Sequence, residues 1–211
     1  MKTPILASAA IGAALCLSAF AGEQKSFSNT GFDELDVAAG LEVTYRAGDS
    51  YSVVAEILKG DADDLRITQD GTRLKISRKT TSGWGNRFRA KVTVTSPDLR
   101  GIDASSGSSI SATGVDADDF GLKVSSGASA EISGTCGNLS VKVSSGGNAD
   151  ARDLKCESVT AKASSGGSAD VYASEAATSN ASSGGSVDVW GKPKQQDANR
   201  SMSGGNTDFH N

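Results

Sequence analysis

The chain is poor in the residues that catalytic and metal sites use. Histidine occurs once, at His210, the penultimate of 211 residues. Neither a G-x-S-x-G nor an S-x-x-K motif is present, and no cluster of histidine, cysteine and carboxylate residues suits zinc. No glycine-rich phosphate-binding loop precedes a helix pattern. The sequence therefore predicts a protein that is not an enzyme and that uses no metal or cofactor.

Aromatic and basic residues are also scarce. Aromatic residues make up 5% of the chain, and such a composition, rich in glycine and serine, can indicate disorder. The strict repeat in the second half of the chain argues against disorder. The 21 Lys and Arg residues are outnumbered by 25 Asp and Glu residues, for a formal net charge of -4. Because nucleic-acid binding requires a basic face, we expect no nucleic-acid partner.

One long apolar run is present, at the N-terminus. Residues 1–21 combine Lys2, an apolar stretch over residues 5–20 and a closing Ala-Phe-Ala, which are the features of a secretion signal. The run is short for a membrane span, and the large Leu15 before Cys16 makes a poor lipoprotein signal. We expect a mature chain without a transmembrane span, exported to the periplasm, the cell surface or the extracellular space.

The second half of the chain repeats. Ser-Ser-Gly begins at residues 105, 125, 144, 164 and 182, and a sixth copy begins with Met202 in place of the first serine. The residues on both sides of the motif alternate between apolar and polar, as in a strand with one buried face. A strand, a corner and a second strand recur every 18 to 20 residues. This pattern predicts a solenoid in which each coil hydrogen-bonds to the next.

The motif itself predicts the corner of each coil. We expect its glycines at positive φ, a conformation that other residues adopt at a cost. These glycines are Gly107, Gly127, Gly146, Gly166, Gly184 and Gly204. The second serine persists in all six copies, whereas the first is replaced by Met202. We therefore expect the second serine to point inward and to bond the backbone, and the first to point outward.

The residues before 101 have a different pattern that also predicts strands. Segments 41–46, 51–57, 65–77 and 89–97 alternate or run apolar, and Asp70-Gly71 is a strong hairpin signal. Residues 79–88 are predicted to form a loop that contains Trp84. The sequence predicts one all-β domain over residues 22–211. N-terminal strands occupy residues 22–100, and the Ser-Ser-Gly coils occupy residues 101–211.

Three segments carry a family resemblance: LDVAAGLEVTYRAGDSYSVVAE, LRITQDGTRLKISRK and KVTVTSPDLRGIDASSGSSISATG. Their order resembles the head GIN domain family, whose name proposes an adhesin function, over roughly residues 30 to 190. The most specific part is the valine-rich strand with Pro97, Leu99 and the first Ser-Gly coil. The resemblance implies a right-handed parallel β-helix and export to the cell envelope, and it supplies no catalytic residues.

Two cysteines hold the same position in successive coils. Cys136 lies eight residues before Ser144, and Cys156 lies eight residues before Ser164. Equivalent Cα atoms of stacked coils lie about 4.8 Å apart, within the range that a disulfide tolerates, and an exported chain meets oxidising conditions. We predict a Cys136–Cys156 disulfide. The alternative is a pair of small buried residues.

The candidate binding site is an outward column six residues past each Ser-Ser-Gly. The column contains Thr113, Ser133, Arg152, Tyr172, Trp190 and His210. Two residues earlier on the same face stands an acidic row of Asp150, Asp170, Asp188 and Asp208. Aromatic platforms beside carboxylate acceptors suit an extended glycan. We expect Arg152, Tyr172, Trp190, Asp170 and Asp188 to contact it. The alternative is that the rings only stack and stabilise neighbouring coils.

Two rows of charged residues have alternative interpretations. Gly-Gly precedes each aspartate of the acidic row, as in calcium-binding repeats, but the third glycine and the nine-residue period are missing. A solvated ladder that discourages aggregation is therefore favoured. Lys123, Lys142 and Lys162 form a row on a different strand. A solvated face is favoured there over an anion-binding patch.

The predicted function follows from these features together. We expect an exported, non-catalytic, adhesin-like binding protein whose partner is an envelope or extracellular glycan or another cell-surface component. The first alternative is a structural or self-associating envelope protein, since the last coil of a solenoid is open to strand pairing. The second is an enzyme, such as a polysaccharide lyase or hydrolase, because a fold does not fix a function.

Overall fold

The computed structural model describes residues 22–79, 88–200 and 204–210. The predicted secretion signal, Trp84 and Met202 lie outside the described residues. Fifteen strands and one short 3-10 helix account for most of the described chain. None of the helical residues in these ranges forms a segment long and apolar enough to cross a membrane.

The strands are numbered in chain order, and the 3-10 helix lies between β4 and β5. They are β1 (Glu23–Phe27), β2 (Glu34–Val37), β3 (Glu42–Ala47), β4 (Ser52–Lys59), the 3-10 helix (Ala62–Asp64), β5 (Leu65–Asp70), β6 (Arg73–Arg78), β7 (Arg89–Ser96), β8 (Gly101–Ala104), β9 (Ser109–Val124), β10 (Ser129–Val143), β11 (Asn148–Ala163), β12 (Ser168–Ala181), β13 (Ser186–Trp190), β14 (Gln195–Arg200) and β15 (Asn206–Phe209).

Strands β9 to β12 each wind round most of a coil and pair in parallel with the next. Burial along β9 alternates except at residues 113–114 and 118–119, where two consecutive residues face outward. A strand can expose consecutive residues only where it bends, so the β9 coil has two corners besides Ser-Ser-Gly. The three sides are called A, B and C, and in β9 they are residues 109–113, 115–117 and 120–124. The all-β solenoid predicted from the repeat is confirmed.

The Ser-Ser-Gly corner is a type I′ turn. Ser126 and Gly127 have φ values of 52° and 70°, and the Ala128 N–H donates to the Ser125 carbonyl oxygen at 3.1 Å. Both central residues of this turn require positive φ. The Gly127 N–H also donates to Ser145 O in the next coil at 3.1 Å. All six motif glycines have φ between 69° and 73°, which confirms their predicted conformation.

The predicted orientation of the two serines is wrong. Ser126 is exposed, whereas Ser125 is half-buried. The left-handed backbone at the second serine turns its side chain away from the coil, and Ser106, Ser145, Ser165 and Ser183 repeat this geometry with φ between 47° and 54°. The buried corner position is the residue after the glycine. It is occupied by Ser108, Ala128, Gly147, Gly167 and Gly185.

Packing against the preceding coil explains the second glycine of the later Gly-Gly pairs. A Cβ atom at Gly167 would lie 2.9 Å from the backbone nitrogen of Ser144 and from the carbonyl carbon of Val143. In the first coil the same position is wider, and Ser108 donates its hydroxyl to Val37 O at 3.0 Å. The space for a side chain at the buried corner position is therefore smaller in the later coils than in the first.

The parallel stack begins before residue 101. β2 pairs in parallel with β6 and β8, and β3 with β7 and β9. Between β2 and β3, Ala39 and Gly40 have φ values of 67° and 71°, and the Gly40 N–H donates to Ser106 O at 3.0 Å. Residues 38–41 therefore form a corner equivalent to Ser-Ser-Gly, with alanines in place of serines.

Antiparallel strands close the N-terminal end. β4 pairs with β7, β1 with β4, and β5 with β6. The β5–β6 hairpin turns at Gly71, whose φ is 60°, as Asp70-Gly71 predicts. At the opposite end, β15 pairs with β13, and this is its one strand partner within the described ranges.

Cys136 and Cys156 are joined by a disulfide inside side B. The two residues are register partners in β10 and β11, and their Cα atoms lie 4.5 Å apart. Their exposed fractions are 7% and 2%. The predicted pairing is confirmed, and the bond ties one coil to the next within the hydrophobic core.

Candidate functional site

The outward face of side A carries the acidic row in register. Asp150 pairs with Asp170, Asp170 with Asp188, and Asp188 with Asp208. Since neighbouring strands lie about 4.8 Å apart, four carboxyl groups stand in one line across four coils. A second row runs beside it two residues earlier. This row consists of Ser109, Ser129, Asn148, Ser168, Ser186 and Asn206.

The C-terminal part of the predicted aromatic column is also in register. Tyr172 pairs with Trp190. The His210 ring stacks on the Trp190 indole, with centroids 3.9 Å apart and an interplanar angle of 12°. His210 Nε2 lies 2.7 Å from Asp188 Oδ1. The imidazole thus covers one indole face, and the buried Trp190 Nε1 has no hydrogen-bond partner among the described residues.

Arg152 does not lie in this column, so its predicted place is wrong. Ala151 pairs with Val171, and the next register pair is Lys155 with Tyr172. Residues 152–154 therefore bulge without partners in β12. Arg152 turns back along its own strand to Asp150, with Nε 2.9 Å from Oδ1 and Nη2 2.5 Å from Oδ2.

Lys155 occupies the position that Arg152 was predicted to hold. Its Nζ lies 4.1 Å from the centroid of the Tyr172 ring and donates to Arg152 O at 2.6 Å. A similar bulge displaces Ser133, because Ile132 pairs with Ala112 and the next pair is Gly134 with Val115. Counting from the glycine thus locates a side chain only where a coil has no bulge.

The carboxyl groups of the row differ in their partners. Hydrogen bonds from the Arg152 guanidinium hold the pKa of Asp150 below its usual range. Asp188 lies against His210, and Asp208 accepts a hydrogen bond from Asn206 at 2.5 Å. These three carboxyl groups therefore already have partners within the protein.

Asp170 is the exception in the row. It is half-buried, and no hydrogen bond or ion pair joins it to another described residue. Burial raises the pKa of Asp170, and the like charges of Asp188 and Asp150 raise it further. A half-buried acceptor of this kind is satisfied by water or by a ligand that donates hydrogen bonds.

The acidic residues do not converge on a point. No group of three or more His, Cys, Asp and Glu side chains in the described ranges could hold a metal ion. A straight row at strand spacing presents one carboxyl group per coil instead of a cage of oxygen ligands. The row therefore suits an extended partner better than a single cation.

A cavity of about 300 Å³, not predicted from the sequence, lies at the corner between sides B and C. It is lined by Asp98, Leu99, Arg100, Asp116, Ala117, Asp118 and Asp119. The signal in the sequence is the Asp-Ala-Asp-Asp run at residues 116–119, which the bend of β9 exposes. The lysine row lies on side C, with Lys142 in register with Lys123 and Lys162. It was predicted on a different strand from the acidic row, but β11 carries both Asp150 and Lys162, and only the side of the coil differs.

Solved structures of other proteins have a similar fold. No curated protein matches the chain. A crystal structure of a "putative adhesin" from Bacteroides fragilis has a TM-score of 0.68 and 17% identity, covering 89% of this chain and 95% of that one. A "putative adhesin" from Parabacteroides distasonis has a TM-score of 0.50 and 17% identity, covering 90% and 98%. At such identities the likeness shows the fold alone.

One family model matches most of the chain. The model described as "Putative auto-transporter adhesin, head GIN domain" matches residues 31–193. This range includes the antiparallel N-terminal strands β4 to β7, the disulfide and the coils up to β13. The chain belongs to the head GIN domain family.

Proposed function

We propose that this protein is an exported, non-catalytic binding protein that recognises an extended glycan on side A. Membership of a family described as adhesins supports a binding role. The choice of a glycan depends on one observation above all, the half-buried carboxyl group of Asp170, which has no described partner and stands beside Tyr172 on the outward face.

A sugar chain matches the chemistry around Asp170. Its hydroxyl groups donate hydrogen bonds to a carboxylate, and its apolar ring faces pack on aromatic side chains. Ser168 and Tyr172 flank Asp170 on the same strand and face outward with it. β12 therefore presents a hydroxyl, a carboxylate and a ring in one line across the strand, and β13 repeats the set with Ser186, Asp188 and Trp190.

The shape of side A favours a polymer over a small ligand. The sheet continues through strands β1, β4, β7, β3, β9, β10, β11, β12, β13 and β15 in that order. Its outward face has similar polar groups at intervals of about 4.8 Å along the solenoid. A chain lying along the axis would meet one set of contacts in each coil.

The test is retention of the purified protein on a panel of immobilised neutral polysaccharides. We expect retention of the wild type and at least about a tenfold weaker affinity for Asp170→Ala/Tyr172→Ser, since two contacts together contribute about 1.4 kcal/mol or more. Asp49→Ala is the matched control, because Asp49 is exposed, lies outside the row and has no hydrogen bond or ion pair with a described residue. Equal retention of the wild type and the double variant would refute the proposal.

A structural or self-associating role is the second candidate. The stacking of His210 on Trp190 favours it, because a ring covered on one face stabilises its neighbour and offers less surface to a ligand. The open edge of β15 would then pair with a second copy. Sedimentation over a wide concentration range tests this role. A mass that stays monomeric throughout would exclude association through β15.

A further inference from the structure

We infer that side C holds a second binding site, a groove for a linear polysaccharide that carries carboxylate groups. The groove shares no residue with the site on side A, so the two can fail independently. Side C has a continuous depression in its surface, with a row of lysines beside it.

The depression consists of two adjoining cavities of about 210 Å³ and about 530 Å³. Gly121 and Ser140 line both of them. These residues belong to one register column with Gly101 and Thr160. Because this column has short side chains or none, a groove crosses four successive coils along the solenoid axis.

Lys123 and Lys142, two residues further along their strands, line the smaller cavity, and Lys162 continues their row in register on the next coil. Lys123 Nζ lies 2.8 Å from Asp103 Oδ2 and is neutralised there. Lys142 and Lys162 are exposed, and neither has an ion pair or hydrogen bond to any described residue. Register places the two lysines side by side on adjacent coils, whose strands lie about 4.8 Å apart. Their like charges repel each other, and an anion between them relieves that repulsion.

All but one of the remaining charges of the groove have an opposite partner. Arg73 Nη2 lies 2.7 Å from Glu34 Oε2 at the N-terminal end, and Arg100 Nε lies 3.8 Å from Asp33 Oδ2 on the wall opposite the lysines. Asp119 has no ion pair with a described residue and accepts a hydrogen bond from Asn138. The unpaired charges are therefore two positive, at Lys142 and Lys162, and one negative, at Asp119, and the net positive charge is complementary to an anion.

The length and floor of the groove select the class of anion. A single phosphate would occupy one coil and leave the other coils empty. The repeat of an extended chain of pyranose rings is close to the spacing of the coils, so successive carboxylates can meet successive lysines. The hydroxyls of Ser140 and Thr160 on the floor then form hydrogen bonds with the hydroxyls of the sugar rings. A linear polyuronate uses all of these features together.

The experiment measures binding of the purified protein to polygalacturonate at an ionic strength of about 0.01 M, where the Debye length is about 30 Å. Lys142→Gln/Lys162→Gln removes the two free charges at nearly constant side-chain length. Gly121→Val fills the groove without disturbing the strand, because the one heavy atom near its new Cβ is Arg100 O at 3.9 Å. Lys91→Gln/Lys194→Gln is the control with the same change in net charge on other sides of the solenoid.

We expect the wild type to bind polygalacturonate and not dextran. Each of the two groove variants should weaken binding about tenfold, as expected for two exposed ion pairs or one blocked subsite, and the control should bind as the wild type does. Equal weakening by the control would indicate a net-charge effect and overturn the proposal. Full binding by Gly121→Val, or equal affinity for single-stranded DNA, would overturn it as well. Thermal melts identify a variant that fails to fold, in which case the other variant decides.

Discussion

Lys155 Nζ lies 4.1 Å from the centroid of the Tyr172 ring on the next coil. The side chain of Lys155 is 50% exposed, and a cation over a ring in such a setting contributes about 0.5–1 kcal/mol. We expect Lys155→Gln to lower the free energy of unfolding by about this amount. A double-mutant cycle with Tyr172→Leu, measured by denaturant unfolding, isolates the coupling between the two side chains.

Lys162→Gln is the control for this contact, because Lys162 is an exposed lysine of the same strand with no ring contact to the described residues. It should change the stability by less than about 0.5 kcal/mol. A coupling energy of zero between Lys155 and Tyr172 would show that the cation–π contact does not stabilise the coil.

Substitutions at the adjacent glycines Gly166 and Gly167 test two different costs at one corner. The first is backbone strain, and the second is a steric clash. Gly166 has a φ of 72° and open space around a Cβ position, so Gly166→Ala meets only the cost of the left-handed conformation, about 1–2 kcal/mol. Gly167→Ala places its Cβ 2.9 Å from Ser144 N. Overpacking against a backbone that cannot move aside costs about 1–3 kcal/mol or more.

We therefore expect both variants to unfold at lower denaturant concentration, with the larger loss for Gly167→Ala. Chemical denaturation followed by circular dichroism measures the difference. A greater loss for Gly166→Ala would mean that the inward corner has room for a side chain, contrary to the narrowing of the later coils.

The Cys136–Cys156 disulfide closes a loop with a sequence separation of 20. Constraining a loop of this length in the unfolded chain stabilises the folded state by about 3 kcal/mol in the entropic model. Cys136→Ala/Cys156→Ala should lose about this much stability, and the wild type should lose a similar amount in reductant. The variant is its own control, since reductant should leave its melting temperature unchanged. Two reactive thiols in the unreduced, unfolded wild type would contradict the bond.

The repeat is visible in the sequence because every coil needs the same turn and the same alternation of inward and outward residues. Gly107 and its equivalents could be placed for this reason, and so could the two cysteines. The orientation of Ser126 could not, because the persistence of a serine shows that its position is constrained and not which way it points. The corner at residues 38–41 was missed, since only its glycine resembles the motif.

The candidate site was predictable only where the coils have no bulge. Tyr172 and Trp190 were aligned correctly, because β12 and β13 pair without a shift over this stretch. Arg152 was misplaced, since the register shift after Ala151 puts Lys155 beside Tyr172. Bulges depend on how each coil packs on its neighbours, and counting residues from a motif does not detect them. The groove at Gly121 was missed for a related reason. An outward glycine forms a groove only if its register neighbours on the adjacent coils also have short side chains.

Asp170 and Asp150 should respond to pH in opposite ways. The pKa of Asp170 is raised by burial and by Asp188 and Asp150, so ionisation of Asp170 disfavours folding. This penalty is complete above the folded pKa and is relieved as the pH falls toward the ordinary value of 3.8. We expect Asp170→Asn to raise the melting temperature at pH 7 and to have little effect at about pH 3, where the wild-type carboxyl is protonated in both states.

The pKa of Asp150 is lowered by Arg152, so its ionised form favours folding. That stabilisation is complete above 3.8 and is lost as the pH falls through the lower folded pKa. Asp150→Asn should therefore lower stability at pH 7 by about 0.2–1 kcal/mol, the range for partly exposed ion pairs. Melting temperatures of both variants and the wild type between pH 3 and pH 8 provide the comparison. Loss of stability at pH 7 in Asp170→Asn would show that Asp170 has a stabilising partner, and it would remove the basis for treating it as a free acceptor on side A.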